Sequence, residues 1–282
     1  MDETPEFPEP IPETEIVANP EEGGGVEAVG APPPFLITPP SLKSLLRDAV
    51  FDLAAALGVG VVAMLIVSVV GMIGALALAV DRRGLGGLAG SPWTIAGLLL
   101  LTQLPLLYFG LRRRRRNREK HRPVPELFGG TTWNAIPMGV FAGFGLTILS
   151  GIYTSALQRF LGPDSVQNQV EFLQRILDNR VAVAVLVMLI AGLAPLCEEL
   201  FFRGAIFGSA RAAGLEKGGA AISAVLFASV HLSFVLAPFY MLFALVMCWL
   251  YARTGTLAAS IAAHATLNGI ACASLLLAGD RV

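Results

Sequence analysis

The chain has 282 residues, of which 55% are hydrophobic and only 15% carry a charge. A water-soluble domain of this length rarely has such a balance, so the composition excludes an ordinary soluble enzyme and predicts an integral membrane protein. The formal net charge of -1 conceals an asymmetry, because residues 1–40 contain nine acidic side chains and neither Lys nor Arg.

The first part of the chain is also rich in proline and glycine. Residues 1–40 contain ten of the 18 prolines and the glycine tract 23–25. Such a segment buries too little apolar surface to offset the entropy lost on ordering, and proline removes backbone donors. We therefore predict that residues 1–45 form a disordered, acidic, proline-rich tail. It lacks the basic leader and early apolar core of a signal peptide.

Long apolar stretches dominate the rest of the chain, and about 20 such residues in a helix cross a hydrocarbon core. The predicted spans are 52–80, 93–111, 134–157, 181–197, 219–236, 238–252 and 256–278. Residues 200–213 are a further candidate, interfacial or partly inserted. The predicted fold class is therefore all-α, a polytopic membrane bundle of seven to eight transmembrane helices. We expect an N-terminal helical region with its basic loop at 46–130 and a second region at 131–282.

The basic residues predict the orientation of these spans. Arg112–Arg116 begins a run that continues to Arg122, and such a cluster beside an apolar span is typical of a cytoplasmic loop. The N-terminal tail is then cytoplasmic too. An arginine run can also neutralise the phosphates of a nucleic acid. Its position beside an apolar span instead favours a topology signal that also binds anionic lipid head groups. No nucleic acid is therefore expected as a partner. Residues 158–180 are amphipathic and are expected on the outer membrane surface.

Polar side chains concentrate in the second half of the apolar sequence, as Glu198 and Glu199, then His231, then His264 and Asn268. Charged groups at membrane depth cost roughly 2.5 to 3.5 kcal/mol each on insertion scales, so they mark candidate functional sites. Two of the three histidines lie in predicted spans, in a chain that also buries a glutamate pair. We therefore predict one shared site. The first three spans carry almost no ionisable residue, so we expect no part of the site there.

The two glutamates have different predicted roles. Glu199 and Arg203 are four residues apart, which places them on one helix face as an ion pair that holds the helix. Glu198 projects about 100° away from its neighbour on an α-helix, so it is free to face a cavity. We therefore assign the catalytic role to Glu198 and a supporting, structural role to the Glu199–Arg203 ion pair.

These residue types permit hydrolysis without a nucleophile on the protein. Glu198 and His231 can bind a water and remove its proton, while His264 and Asn268 can donate hydrogen bonds to the oxyanion that forms. Ser229 is two residues from His231 and faces the other side of a helix, so a Ser–His pair is not expected.

A metal site is the alternative interpretation of the same residues. Glu198, His231 and His264 are also a catalytic zinc set. The chain has no HExxH motif, however, and the ligands would have to come from three separate helices. We expect no cofactor, with zinc as the open alternative.

Three motifs occur in a fixed order: EELFFR at 198–203, FASVH at 227–231 and HATLN at 264–268. They resemble the EExxxR, FxxxH and HxxxN pattern of the CAAX protease and bacteriocin-processing (CPBP) family of intramembrane endopeptidases. The resemblance covers residues 181–278, and it implies that 131–282 is a CPBP-like intramembrane protease core.

The resemblance also implies a role for each matched residue. Glu198 would be the general base together with His231, and His264 and Asn268 would stabilise the oxyanion. Members of the family have been described both as metallopeptidases and as glutamate-dependent enzymes. The matched positions of supporting function are Glu199, Arg203 and Phe227.

The predicted function is an intramembrane endopeptidase that hydrolyses a peptide bond of a membrane-anchored peptide or protein, for which a prenylated CAAX-type sequence is one class. The lipid bilayer is its other partner, and a cytoplasmic partner of the tail is an open alternative. The expected location is the bacterial cell (inner) membrane. Two other functions stay open. One is a non-catalytic membrane binding or bacteriocin-immunity protein, and the other is a proton-coupled transporter, because Glu and His chains relay protons.

Overall fold

The computed structural model describes residues 41–77, 91–119, 132–162 and 180–279, and these residues form seven helices and no strand. The helices are α1 Leu42–Ala77, α2 Pro92–Glu119, α3 Thr132–Leu161, α4 Arg180–Ala212, α5 Glu216–Val230, α6 Ala237–Thr254 and α7 Leu257–Gly279. All seven belong to one compact unit, Pro39–Val282. The predicted all-α class is confirmed.

Several predictions lie outside the described residues. They concern the tail before residue 41, the end of the basic run after Glu119, and residues 163–179 of the amphipathic segment. The domain boundaries at 45 and 130 also stay predictions.

Five of the described helices are long and apolar enough to cross a membrane: Pro92–Glu119, Asn134–Leu161, Arg180–Ala212, Ala237–Thr254 and Leu257–Leu277. The predicted count of seven to eight spans is therefore not confirmed. The predicted break after residue 197 is wrong, because 181–197 and 200–213 belong to one helix, α4, of 33 residues. The helix continues past its two glutamates because other side chains inside the bundle bind them, as described below.

The predicted fifth span, 219–236, is also corrected. Helix α5 ends at Val230 after 15 residues, which is shorter than the roughly 17 to 25 residues of a spanning helix. The chain then turns through Leu232, whose φ is 50°, and enters α6, which packs back against α5. His231 therefore lies at a helix end beside a turn, and not in the middle of a helix.

Helices α2 and α4 lie side by side and run in the same direction. Gln103 bonds to Glu198 at 3.0 Å, and fourteen residues further along α2 Asn117 donates to Ser209 at 3.0 Å. Both pairs are polar contacts between helices in an apolar setting, which is how many membrane helices are held together. The arrangement brings α2 directly against the glutamates of α4.

Helices α3 and α7 also run in parallel, and small residues form their contact. A Cβ atom on Gly143 would lie 2.6 Å from the carbonyl oxygen of Ala263, and one on Gly139 would overlap the carbonyl of Ala259. Small residues spaced by four let two membrane helices approach closely. Because α7 carries His264, this glycine seam fixes the position of a predicted site residue.

We expect Gly143→Ala to destabilise the bundle by about 1 to 3 kcal/mol, because the added methyl group overpacks the glycine seam. The measurement is the unfolding midpoint of the full chain in mixed detergent micelles. Gly145→Ala is the matched control on the same helix, since a Cβ there meets no atom within 4 Å. Equal midpoints for the two variants would show that the seam does not hold α3 and α7 together.

Candidate active site

The fold brings Glu198, Glu199 and His264 together where α4 meets α7, and the end of α5 lies nearby through Phe227. Helix α4 supplies Glu198 and Glu199, the end of α5 supplies His231, and α7 supplies His264 and Asn268. His264 contacts both glutamates: its Nδ1 is 3.0 Å from Glu199 Oε1, and its Nε2 is 3.8 Å from Glu198 Oε2. One imidazole therefore lies between two carboxylates.

The local winding of α4 explains how neighbouring glutamates reach the same ring. Leu189–Leu193 and Glu199–Phe207 are π-helical, with a short α-helical turn, Ala194–Glu198, between them. The amide of Gly208, for example, donates to the carbonyl of Arg203, five residues back. Such wide turns are rare in helices and occur frequently at functional sites. That Glu198 is free to face a cavity while Arg203 holds Glu199 stays a prediction, and the two side chains differ in exposure, at 13% and 0%.

The predicted ion pair between Glu199 and Arg203 is present and completely buried. Arg203 Nη1 is 3.1 Å from Glu199 Oε1, and both side chains are 0% exposed. The guanidinium also lies over the ring of Phe227, 4.6 Å from its centroid, a favourable cation–π geometry. Glu199 thus binds Arg203 and His264 through one oxygen, and it couples α4 to α7.

Glu198 is the more accessible of the two carboxylates, with 13% of its side chain exposed. Its Oε1 accepts a hydrogen bond from Gln103 Nε2 at 3.0 Å. Gln103 is on α2, so the expectation that the early spans contribute nothing to the site does not hold. The prediction considered ionisable groups alone and missed it. The sequence did contain an indication of this contact, because Gln103 is a single amide among the leucines of residues 98–107.

His231 is held by its own helix end. Its Nδ1 is 2.7 Å from the carbonyl oxygen of Phe227, and its ring lies 4.1 Å from that of Tyr240, centroid to centroid. A carbonyl can only accept, so Nδ1 carries the proton and Nε2 of the neutral ring is an acceptor.

Phe227 lies between the polar groups of the site. Its ring centroid is 4.6 Å from that of His231 and 6.0 Å from that of His264. The same ring supports the guanidinium of Arg203, as noted above. The aromatic residue that the motif pattern marked as supporting therefore contacts both imidazoles and the buried ion pair.

Asn268 lies one turn beyond His264 on α7. Its Nδ2 donates to the carbonyl oxygen of Ile190 at 2.9 Å, in the first π-helical stretch of α4. One amide hydrogen of Asn268 is therefore used to dock α7 on α4. An amide nitrogen carries a second hydrogen, so the group keeps one donor for another acceptor.

A zinc site would require Glu198, His231 and His264 to converge on one ion. Among the described residues, no group of three or more His, Cys, Asp or Glu side chains is arranged to hold a metal. Gln103 binds one oxygen of Glu198, and a backbone carbonyl binds Nδ1 of His231. The zinc alternative stays a prediction, and the proposed mechanism uses no metal.

Comparison with known proteins gives one match. Residues 180–270 match the family model described as Rce1-like, type II CAAX prenyl endopeptidase. No curated protein and no solved structure gives a significant match to the chain. The matched range contains the whole predicted constellation from Glu198 to Asn268, and it leaves Gln103 outside. Together with the five apolar helices, this makes the chain an integral membrane protein whose residues 180–270 match an Rce1-like domain, consistent with the CPBP family of intramembrane proteases.

Proposed function

We propose that this protein is an intramembrane endopeptidase that hydrolyses a peptide bond of a membrane-anchored substrate. The observation that carries the proposal is the contact of His264 with both Glu198 and Glu199 inside an Rce1-like domain. Carboxylates at membrane depth are costly to place. A pair of them bridged by an imidazole therefore marks a candidate functional site. Here one carboxylate is neutralised by Arg203, and the other stays partly accessible.

Glu198 would act as the general base. Its Oε1 is occupied by Gln103, which leaves Oε2 to accept a proton from the attacking water. His231 would offer its unprotonated Nε2 to the same water, because Nδ1 is fixed on a backbone carbonyl. A positioned base of this kind contributes rate factors of about 10² to 10⁴.

His264 and Asn268 would stabilise the oxyanion that forms when water attacks the carbonyl. Glu199 accepts the Nδ1 proton of His264 and so orients the ring with Nε2 towards Glu198. A doubly protonated His264 would donate from Nε2 as well, and Asn268 keeps a second amide hydrogen. Donors held in place before the reaction are worth more than the same donors in water, because they need no reorganisation.

An apolar groove at the end of α5 supports a lipid-anchored substrate of the prenylated CAAX type. The groove lies between α5, α6 and the turn that joins them, and its volume is about 320 Å³. Two side chains of its rim, Leu232 and Phe234, are 89% and 96% exposed. A substrate anchored there by a hydrocarbon chain would bury this apolar surface and bring its peptide next to the polar groups. We infer that the site works in the bacterial cell membrane, with the N-terminal tail in the cytoplasm.

The test compares protein termini in membranes from cells that express the wild type, Glu198→Gln or Glu216→Gln at equal abundance. Glu216 is an exposed carboxylate at the start of α5, so its substitution is the matched control. We expect new termini of membrane-anchored proteins with the wild type and with Glu216→Gln only. The same termini in all three samples would remove the case for catalysis by Glu198 and favour a binding or immunity protein.

A further inference from the structure

We propose that Gln103 is a positioning residue of this active site, contributed by a helix outside the matched domain, and that it is retained at a cost to stability. The inference rests on the proposed function. It concerns the Glu198 carboxylate, whose plane must be held in one orientation if an oxygen is to take the proton of a water.

The geometry gives Gln103 control over that carboxylate. Its Nε2 donates to Glu198 Oε1 at 3.0 Å, across two helices and 95 positions of sequence. The terminal torsion of a glutamate side chain has broad minima, so the carboxylate plane needs an external contact to be fixed. With Oε1 held by Gln103, Oε2 faces His264 at 3.8 Å. The amide therefore fixes the plane in which the carboxylate presents its other oxygen to the reacting water.

The other end of the same amide has no hydrogen-bond partner among the described residues, which sets this contact apart from an ordinary bond between helices. Gln103 is 9% exposed, and its Oε1 is a buried acceptor without a partner in the described part of the chain. A buried polar atom without a hydrogen bond destabilises the folded state. An apolar side chain of the same length would avoid that loss. Glu198, at 13% exposure, could still be hydrated in its absence.

A second amide on α2 provides the contrast. Asn117 is buried and donates to Ser209 on α4 at 3.0 Å, and that hydroxyl donates onward to the carbonyl of Ala205. This chain of bonds joins the same two helices far from the glutamates. We interpret Asn117 as a contact that holds α2 on α4. If Gln103 did only that, the two residues would respond alike to replacement by an apolar side chain.

The experiment uses the full chain, purified in nanodiscs, with a farnesylated CAAX-type peptide as the probe. The variants are Gln103→Met, which keeps the side-chain length, and Asn117→Leu as the control. We expect Gln103→Met to lower kcat by up to about 100-fold with KM unchanged, as a misplaced catalytic group does. Its unfolding midpoint should equal or exceed that of the wild type. Asn117→Leu should lower the midpoint and leave kcat of the folded protein unchanged.

The outcomes separate the two levels of the proposal. Wild-type kcat for Gln103→Met, with Glu198→Gln inactive, would refute the role of Gln103 and leave the proposed function intact. A lower midpoint for Gln103→Met, as for Asn117→Leu, would make Gln103 a helix contact only. If the wild type does not cleave the peptide, the same variants are compared by the termini that they generate in membranes. If neither assay distinguishes the wild type from Glu198→Gln, the proposed function fails, and the role of Gln103 fails with it.

Discussion

Replacement of Glu198 by glutamine is expected to lower the rate of peptide cleavage by a factor of about 10² to 10⁴. Glutamine keeps the length of the side chain, and its carbonyl oxygen can still accept the hydrogen bond from Gln103. An amide cannot take a proton from water at neutral pH, however, so only the general base is lost. The measurement is the single-turnover rate of the purified chain on a farnesylated CAAX-type peptide, with enzyme in excess.

Two further variants define this result. Glu216→Gln removes a carboxylate that is 52% exposed at its side chain, and it should cleave at the wild-type rate. Glu198→Asp keeps the carboxylate but withdraws it by one methylene, so an intermediate rate is expected. A loss of rate for Glu216→Gln as large as that for Glu198→Gln would attribute the effect to net charge, and Glu198 would not be the base.

The second large effect is on stability. Arg203→Met is expected to lower the free energy of unfolding by about 3 to 5 kcal/mol, because it leaves Glu199 as a buried charge without its partner. The double variant Glu199→Met/Arg203→Met removes both charges and should recover much of that loss. The free energies of unfolding of the single and double variants are measured by sodium dodecyl sulfate unfolding in mixed micelles, with tryptophan fluorescence as the readout.

Arg115 provides the matched control for the buried pair. It pairs with Glu119 at 2.9 Å with the same spacing of four residues, but the two side chains are 84% and 59% exposed. Exposed pairs of this kind contribute about 0 to 1 kcal/mol, so Arg115→Met should unfold close to the wild type. Similar losses of unfolding free energy for Arg115→Met and Arg203→Met would show that burial does not increase the contribution of Arg203 to stability.

The ion pair could be predicted from the sequence because spacing alone decides it. Residues four apart on a helix are neighbours, and Glu199 and Arg203 meet as expected. The polar constellation could be found as well, because His231 and His264 are rare polar groups in apolar sequence. The structure places His264 beside both glutamates, and the ring of Phe227 lies near both imidazoles.

Other features depend on information that a single sequence does not carry. The π-helical stretches of α4 have no distinctive spacing of apolar residues. The change of winding at Glu199 could therefore not be predicted from the sequence. A hydropathy window ends at two adjacent carboxylates and therefore splits Arg180–Ala212 into two segments. It cannot register that Arg203 and His264 bind Glu199. The contact of Gln103 with Glu198 was missed for a related reason. It depends on the register between α2 and α4, which is determined by helix packing.

The i,i+4 pair in α4 also has a consequence for how the protein is assembled during synthesis. Both partners belong to one helix, so Glu199 can be neutralised by Arg203 as soon as that helix winds, before α7 has been made. Glu198 has no such partner within α4, but Gln103 precedes it in the chain and is already in place when the ribosome delivers α4. His264 arrives last. The site is therefore completed in the order of translation, and at each stage the growing bundle already contains a group that can receive the next charge.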